Sequence, residues 1–219
     1  MSGTWAPEWV LRRQIVAAAR RLHAQGLMPG PAGNLSARVD EGRVLVVPSG
    51  VPKAGLQPEE LLVVTLEGEV VSGIKGMKPT SELPMHLEVY RRRPEVGAVV
   101  HAHPAASVAL TLAGVSLAKP VLPEAVLLLG EVPTTAYATP STPENRTAIA
   151  KWIAEHDVIL LARHGALTVG HTVEEAVVKM EALEHTAQTL LWAYLAGEPE
   201  PLSAEALAKL KEVRAHYGR

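Results

Sequence analysis

The chain has 219 residues, with 21 Lys plus Arg against 23 Asp plus Glu, a formal net charge of −2 and no cysteine. The near balance of charge leaves no basic field to hold nucleic acid or an anionic membrane. The missing thiols exclude disulfides, thiolate metal sites and cysteine nucleophiles, and point to a cytoplasmic setting. A length of this order suits a single domain over residues 1–219, and with no Phe and only 4% aromatic residues its core falls to Val, Leu, Ala and Ile.

In chain order, Glu8 to Gln25 places Leu11, Ile15, Ala18, Ala19 and Leu22 on one helical face, and Gly26 closes the helix. Short apolar runs bounded by Gly, Pro or Asp follow at Leu35–Val39, Val44–Val47 and Leu61–Leu66, the pattern of a strand meander. Thr80-Ser81-Glu82-Leu83 opens a second helix through about Arg92, and Gly97–His101 reads as a buried strand stopped by Pro104. Downstream come a helix from Thr142 to about Glu155, strands at Val158–Leu161 and Ala166–Val169, a long helix over Val173–Leu195 and a last helix from Ser203 to about His216. The class is therefore α/β, with a mixed or antiparallel sheet covered by helices. No apolar run approaches the roughly 20 residues of a bilayer-spanning helix, and the opening Met1 to Trp5 lacks the basic-then-apolar pattern of a secretory leader.

His101 and His103 flank Ala102 at a strand end, so the period of two sends both rings to one face. His164 also follows a buried strand, before Gly165. Three neutral imidazoles with an open fourth position form the layout of a catalytic zinc site, although an HxH pair taken alone is usually an ordinary rim or core pair. Glu82, behind Thr80 and Ser81, is either a carboxylate favoured by the helix dipole or a base beside a bound substrate. The same helix N-terminus, with Asn34, Ser49 and Gly50 from two turns, offers N–H and hydroxyl donors to a phosphate, and each of those turns alone is common turn chemistry.

Taken in order, Gly33-Asn-Leu-Ser36, Pro48-Ser-Gly50, Pro79-Thr-Ser-Glu82 with Met85-His86, Val100-His-Ala-His103 and Arg163-His-Gly165 closely resemble the class II aldolase/adducin family over nearly the whole chain. The resemblance implies a three-layer α/β/α sandwich around a central, largely antiparallel mixed sheet. It implies one Zn²⁺ per subunit on His101, His103 and His164, and Glu82 as the acid/base carboxylate. Asn34, Ser49, Gly50, Thr80 and Ser81 correspond to the family's phosphate pocket. The implied reaction is reversible cleavage of a ketose 1-phosphate, such as L-fuculose 1-phosphate, into dihydroxyacetone phosphate and lactaldehyde, in a homotetramer with active sites at subunit boundaries.

The chain departs from the pattern at two places. Pro31 stands where a threonine meets the phosphate, and Leu122 stands where a tyrosine reaches from the neighbouring subunit to act on the aldehyde oxygen. Glu124 is the nearest ionisable group on that segment, Tyr137 and Tyr217 stay open as substitutes, and Lys53, Lys75 and Lys78 are read as surface or electrostatic residues. The same layout serves ribulose 5-phosphate 4-epimerases, methylthioribulose 1-phosphate dehydratases, sugar-acid phosphate decarboxylases and, without metal, adducin-like binding modules.

Overall fold

The computed structural model describes residues 5–217, with Tyr217 described by its backbone alone. Helix α1 (Glu8–Ala24) buries the expected stripe. It ends with Leu27 N–H on Leu22 O and Gly26 N–H on His23 O, closed by Gly26 at φ +77°. That pair of bonds satisfies the last carbonyls, and only the left-handed glycine permits it at no steric cost.

Seven strands follow: β1 (Asn34–Arg38), β2 (Arg43–Val46), β3 (Leu62–Thr65), β4 (Val70–Ser72), β5 (Ala98–Ala102), β6 (Val158–Leu161) and β7 (Gly165–Gly170), arranged in one sheet as β4-β3-β2-β1-β5-β7-β6. Every strand pair is antiparallel, and an isolated parallel bridge joins Thr134 to Leu160. The remaining helices are α2 (Leu83–Arg92), α3 (Ala105–Leu112), α4 (Pro123–Leu128), α5 (Pro143–Ala150), α6 (Val173–Ala196) and α7 (Ala204–Tyr217).

Two apolar clusters separate across the sheet by strand alternation. Leu35, Ala37, Val100 and Ala102 face one cluster with α1 and α6, while Val44, Val46, Val99 and Val169 face the other with residues of α2 and α5. On that second face β1 is polar: Asn34, Ser36 and Arg38 are all buried there. Those three residues occupy the positions beside the site described next.

Five elements differ from the sequence-based reading, one being α5, which ends at Ala150 where the helix was expected to run to about Glu155. β4 is exposed throughout and carries no alternation, and α3 and α4 were not read as helices. α2 begins at Leu83 instead of Thr80, because Thr80 N–H is taken by Val47 O and Leu83 N–H turns back onto Thr80 O. Pro84 in the first turn costs nothing, since its absent N–H would be unpaired there. No helix among the described residues is long and apolar enough to cross a membrane.

Candidate active site

Strand pairing brings the histidines together. Asn34 on β1 lies opposite His101 on β5, and β5 continues onto β7 with Ala102 opposite Ala166. His103, one residue beyond β5, is pinned by its N–H on Leu27 O at 2.8 Å. The β6–β7 turn, with Arg163 at φ 62° and His164 N–H on Leu161 O, delivers the third ring alongside. Ring centroids stand 4.9 Å apart for His101–His103, 4.8 Å for His101–His164 and 5.1 Å for His103–His164. Gly165 makes this spacing possible, since a Cβ there would lie 2.4 Å from Ala102 O and 2.8 Å from His103 Cδ2.

Glu82 sits at the N-cap place of α2 and makes no side-chain cap bond, so its carboxylate does not serve the helix end. It is turned into the histidine cluster and held at both oxygens. Oε2 accepts from Asn34 Nδ2 at 3.0 Å and Oε1 from Asn145 Nδ2 at 3.1 Å. Nε2 of His101 is 3.0 Å from Oε2, and Nε2 of His164 is 3.5 Å from Oε1. Burial would raise this carboxyl, but the charge and hydrogen bond of His101, then Asn34 and His164, hold it well below the usual carboxylate range.

Potential ligand atoms of Glu82, His101, His103 and His164 all lie within 4.8 Å of one another, so the group could hold a metal ion. Two observations fit that use. His101 Nδ1 donates to Ala166 O at 2.9 Å, which turns Nε2, 3.1 Å from His103 Nε2, toward the cluster as the atom a metal would take. The Nε2 of His164 faces Glu82 Oε1 at 3.5 Å, on the cluster side, while its Nδ1 is buried with no hydrogen-bond partner. Burial, followed by the nearby charges, lowers His103 and His164 to about 4, which keeps both rings neutral at neutral pH as ligation requires. An imidazole and carboxylate donor set suits a borderline divalent ion such as zinc.

A cleft of about 210 Å³ opens over this cluster. Asn34, Ser49, Gly50, Thr80, Ser81, Glu82, His103 and His164 line it, and His101 lies fully buried behind them. The polar groups are not all free, however. Asn34 spends its amide on Glu82 and on His86, whose Nε2–H reaches Oδ1 at 2.5 Å. Ser49 N–H goes to Lys78 O, and the first N–H groups of α2 are partly taken by Thr80 and Glu82 carbonyls. The hydroxyls of Ser49, Ser81 and Ser141 and the Gly50 N–H remain as donors on the wall, with Ser81 Oγ 2.8 Å from Ser141 Oγ.

Sequence reasoning gave several residues no role in the site. Asn145, on the inner face of α5, carries no local signal at all. His86 is fully buried, with Ser36 Oγ 2.7 Å from its Nδ1 and Tyr90 Oη 2.8 Å beyond, and burial first, then His101, lowers it to about 3. Its Nε2 must donate to the Asn34 carbonyl oxygen, and this orients the Asn34 amide nitrogen toward Glu82. Lys53, read with Lys75 and Lys78 as surface or electrostatic, is 1% exposed, whereas Lys75 and Lys78 lie on the surface. Leu122 caps α4 and is absent from the cleft wall, Glu124 is exposed, Tyr137 is 62% exposed, and the Tyr217 side chain lies outside the described residues.

Residues 13–191 match the family described as Class II Aldolase and Adducin N-terminal domain. The chain is 33% identical over 212 residues to a 3-oxo-tetronate 4-phosphate decarboxylase of Escherichia coli O6:H1, covering 95% of this chain and 97% of that one. It is 30% identical over 210 residues to a 5-deoxy-D-ribulose 1-phosphate aldolase of Bacillus thuringiensis, with 95% and 97% covered. Among solved structures, the L-fuculose-1-phosphate aldolase from Thermus thermophilus superposes with a TM-score of 0.75 at 39% identity, over 84% of this chain and 94% of that chain.

Proposed function

The chain belongs to the class II aldolase and adducin family, and from that premise we propose that it is a zinc-dependent lyase acting on a sugar phosphate. The reaction we assign is cleavage of a ketose 1-phosphate, such as L-fuculose 1-phosphate, into dihydroxyacetone phosphate and an aldehyde. The observation that carries the reading is the convergence of three imidazoles and one buried carboxylate at the floor of a polar cleft.

His101, His103 and His164 would hold the ion through neutral ring nitrogens. A Zn²⁺ bound there supplies Lewis-acid stabilisation of the negative charge that develops beside the carbonyl when the bond breaks. Glu82 exchanges the proton at the carbon released by cleavage. In its resting position it is ionised and stabilised, and a substrate that displaces it from His101 while it stays buried removes that stabilisation and raises its basicity. Asn34 and Asn145 set where the carboxylate returns. The donors of Ser49, Gly50, Thr80 and Ser81 fix the phosphate, so that binding energy far from the reacting carbons becomes orientation at them.

One observation favours a second reading. Aldol cleavage needs a base for the hydroxyl proton on the carbon that becomes the aldehyde, and Leu122 stands at the sequence position from which the family's tyrosine would supply it. Loss of carbon dioxide from a 3-oxo sugar-acid phosphate needs no such base, and a relative at 33% identity is a decarboxylase of that kind. A homotetramer with its sites at subunit boundaries and a cytoplasmic setting belong to the same proposal. Exposed Leu112, Trp192 and Leu195 are apolar surface of the kind that assembly covers.

The test pairs zinc content of freshly purified protein with product identification by NMR. L-fuculose 1-phosphate should give dihydroxyacetone phosphate and lactaldehyde in a zinc-dependent manner, and carbon dioxide from 3-oxo-tetronate 4-phosphate would select the second reading. Protein that holds no stoichiometric zinc and turns over neither compound refutes both, leaving an adducin-like binding module.

A further inference from the structure

Lys53 lies in a 3₁₀ turn that follows the Ser49-Gly50 segment, and its side chain is 1% exposed. Its Nζ donates to Pro31 O at 2.8 Å and to Val51 O at 3.1 Å. Both acceptors are neutral carbonyls. No carboxylate of the described residues forms an ion pair with it, so a nearly buried ammonium is left without a counter-charge. Buried charges are costly unless paired, and an ammonium has three N–H donors, of which two are used here. Burial accordingly lowers Lys53 to about 8.

The environment says what is missing. Lys53 borders the cleft together with Pro31, Ser49, Gly50 and Ser81, and no other Lys or Arg lines it among the described residues. On this wall stand hydroxyls and an N–H, all neutral donors. A dianion at this wall would find neutral hydrogen bonds and one cationic side chain.

We propose that Lys53 is the charge-reading residue for the phosphate group, its third N–H meeting a phosphate oxygen while the other two tie the Pro29–Gly33 turn to the pocket. The inference rests on the reading above that the cleft takes a sugar phosphate. It also bears on the donor lost at Pro31. That residue has no N–H or hydroxyl to offer a phosphate, but its carbonyl anchors the ammonium that meets the anion in its place. Nothing local to Lys53 in the chain distinguishes it from a solvated lysine, so this role carries no sequence signal.

The test uses the full-length zinc-loaded protein and inorganic phosphate as the probe, titrated calorimetrically at pH 7. Lys53→Met keeps length and apolar packing while removing the charge, and the loss of one charge-assisted hydrogen bond should weaken phosphate binding by roughly 10- to 100-fold. Zinc content should stay that of the parent. To separate charge from loop packing, turnover is compared on the phosphorylated ketose and the same ketose without phosphate: kcat/KM should fall for the first and hold for the second, and a merely structural role would lower both. Phosphate that binds parent and Lys53→Met equally overturns the role of Lys53 and leaves the sugar-phosphate reading standing. Phosphate that fails to bind the parent at millimolar concentration overturns both.

Discussion

Gly165→Ala tests whether the spacing of the three rings depends on a missing side chain. A Cβ at position 165 would stand 2.4 Å from Ala102 O, 2.8 Å from His103 Cδ2 and 3.0 Å from His101 Cε1. Ordinary carbon contacts need about 3.5 Å, so β7 must move away from the end of β5 by about 1 Å or the two rings must part by a similar amount. The backbone carbonyl cannot rotate out of the way because the β5–β7 ladder fixes it. Overpacking of this sort costs about 1–3 kcal/mol, which in a chain of this length lowers the Tm by roughly 2–12 °C. Movement of the rings should also weaken zinc retention by about 10-fold or more. Thermal unfolding followed by circular dichroism, with metal content measured on the same preparation, reads both effects. Gly55→Ala is the control, since a Cβ there meets nothing within 4 Å; it should stay within about 0.5 kcal/mol of the parent. A Gly165→Ala protein that melts with the parent and keeps its zinc would refute the account of how the site is built.

His101→Ala and His164→Ala should each lose zinc and turnover together, and an active, zinc-free His164→Ala protein would remove the metal from the proposal. Glu82→Gln should keep its zinc but slow turnover by at least about 100-fold, the loss expected for a missing general base. Because Asn34 and Asn145 donate to opposite oxygens of Glu82, the glutamine NH₂ must face one of them, so a crystal structure of the variant should show one Asn amide turned or displaced. His86 is held neutral with a folded value of about 3, whereas an unfolded histidine titrates near 6.5. The unfolded chain therefore binds a proton that the folded one refuses between those values, and stability falls as pH drops through that window. His86→Gln should flatten this slope by up to about 1.4 kcal/mol per pH unit, measured from urea midpoints, and an unchanged slope would contradict the assignment.

Fold class, most element positions and the metal-site candidates are legible in the chain read as a string. Strand period two, helical stripes and turn residues are local signals: α1 with its Gly26 closure, β1 and β2, and the sites of His101 and His103 can all be read from neighbours in the chain. Of the helices that went unread, α4 carries local start signals in Pro123 and Glu124, whereas α3 has none. The N-terminal N–H groups of α3 are satisfied by Glu184 of α6, which accepts from Ala106 N–H at 2.8 Å and Ser107 N–H at 2.9 Å, so no capping residue marks its start. The same reason separates what was legible in the site from what was not. Ligand types and a fixed spacing can be seen in one dimension, but Asn145 reaching Glu82 across 63 positions, His86 orienting Asn34 across 52, and Lys53 buried against Pro31 across 22 are each decided by which segments the fold packs together. A hydrogen bond depends on distance in space, and burial on what covers a residue, so it took the packed chain to give Glu82 its amide and imidazole partners and to leave Lys53 without an anion.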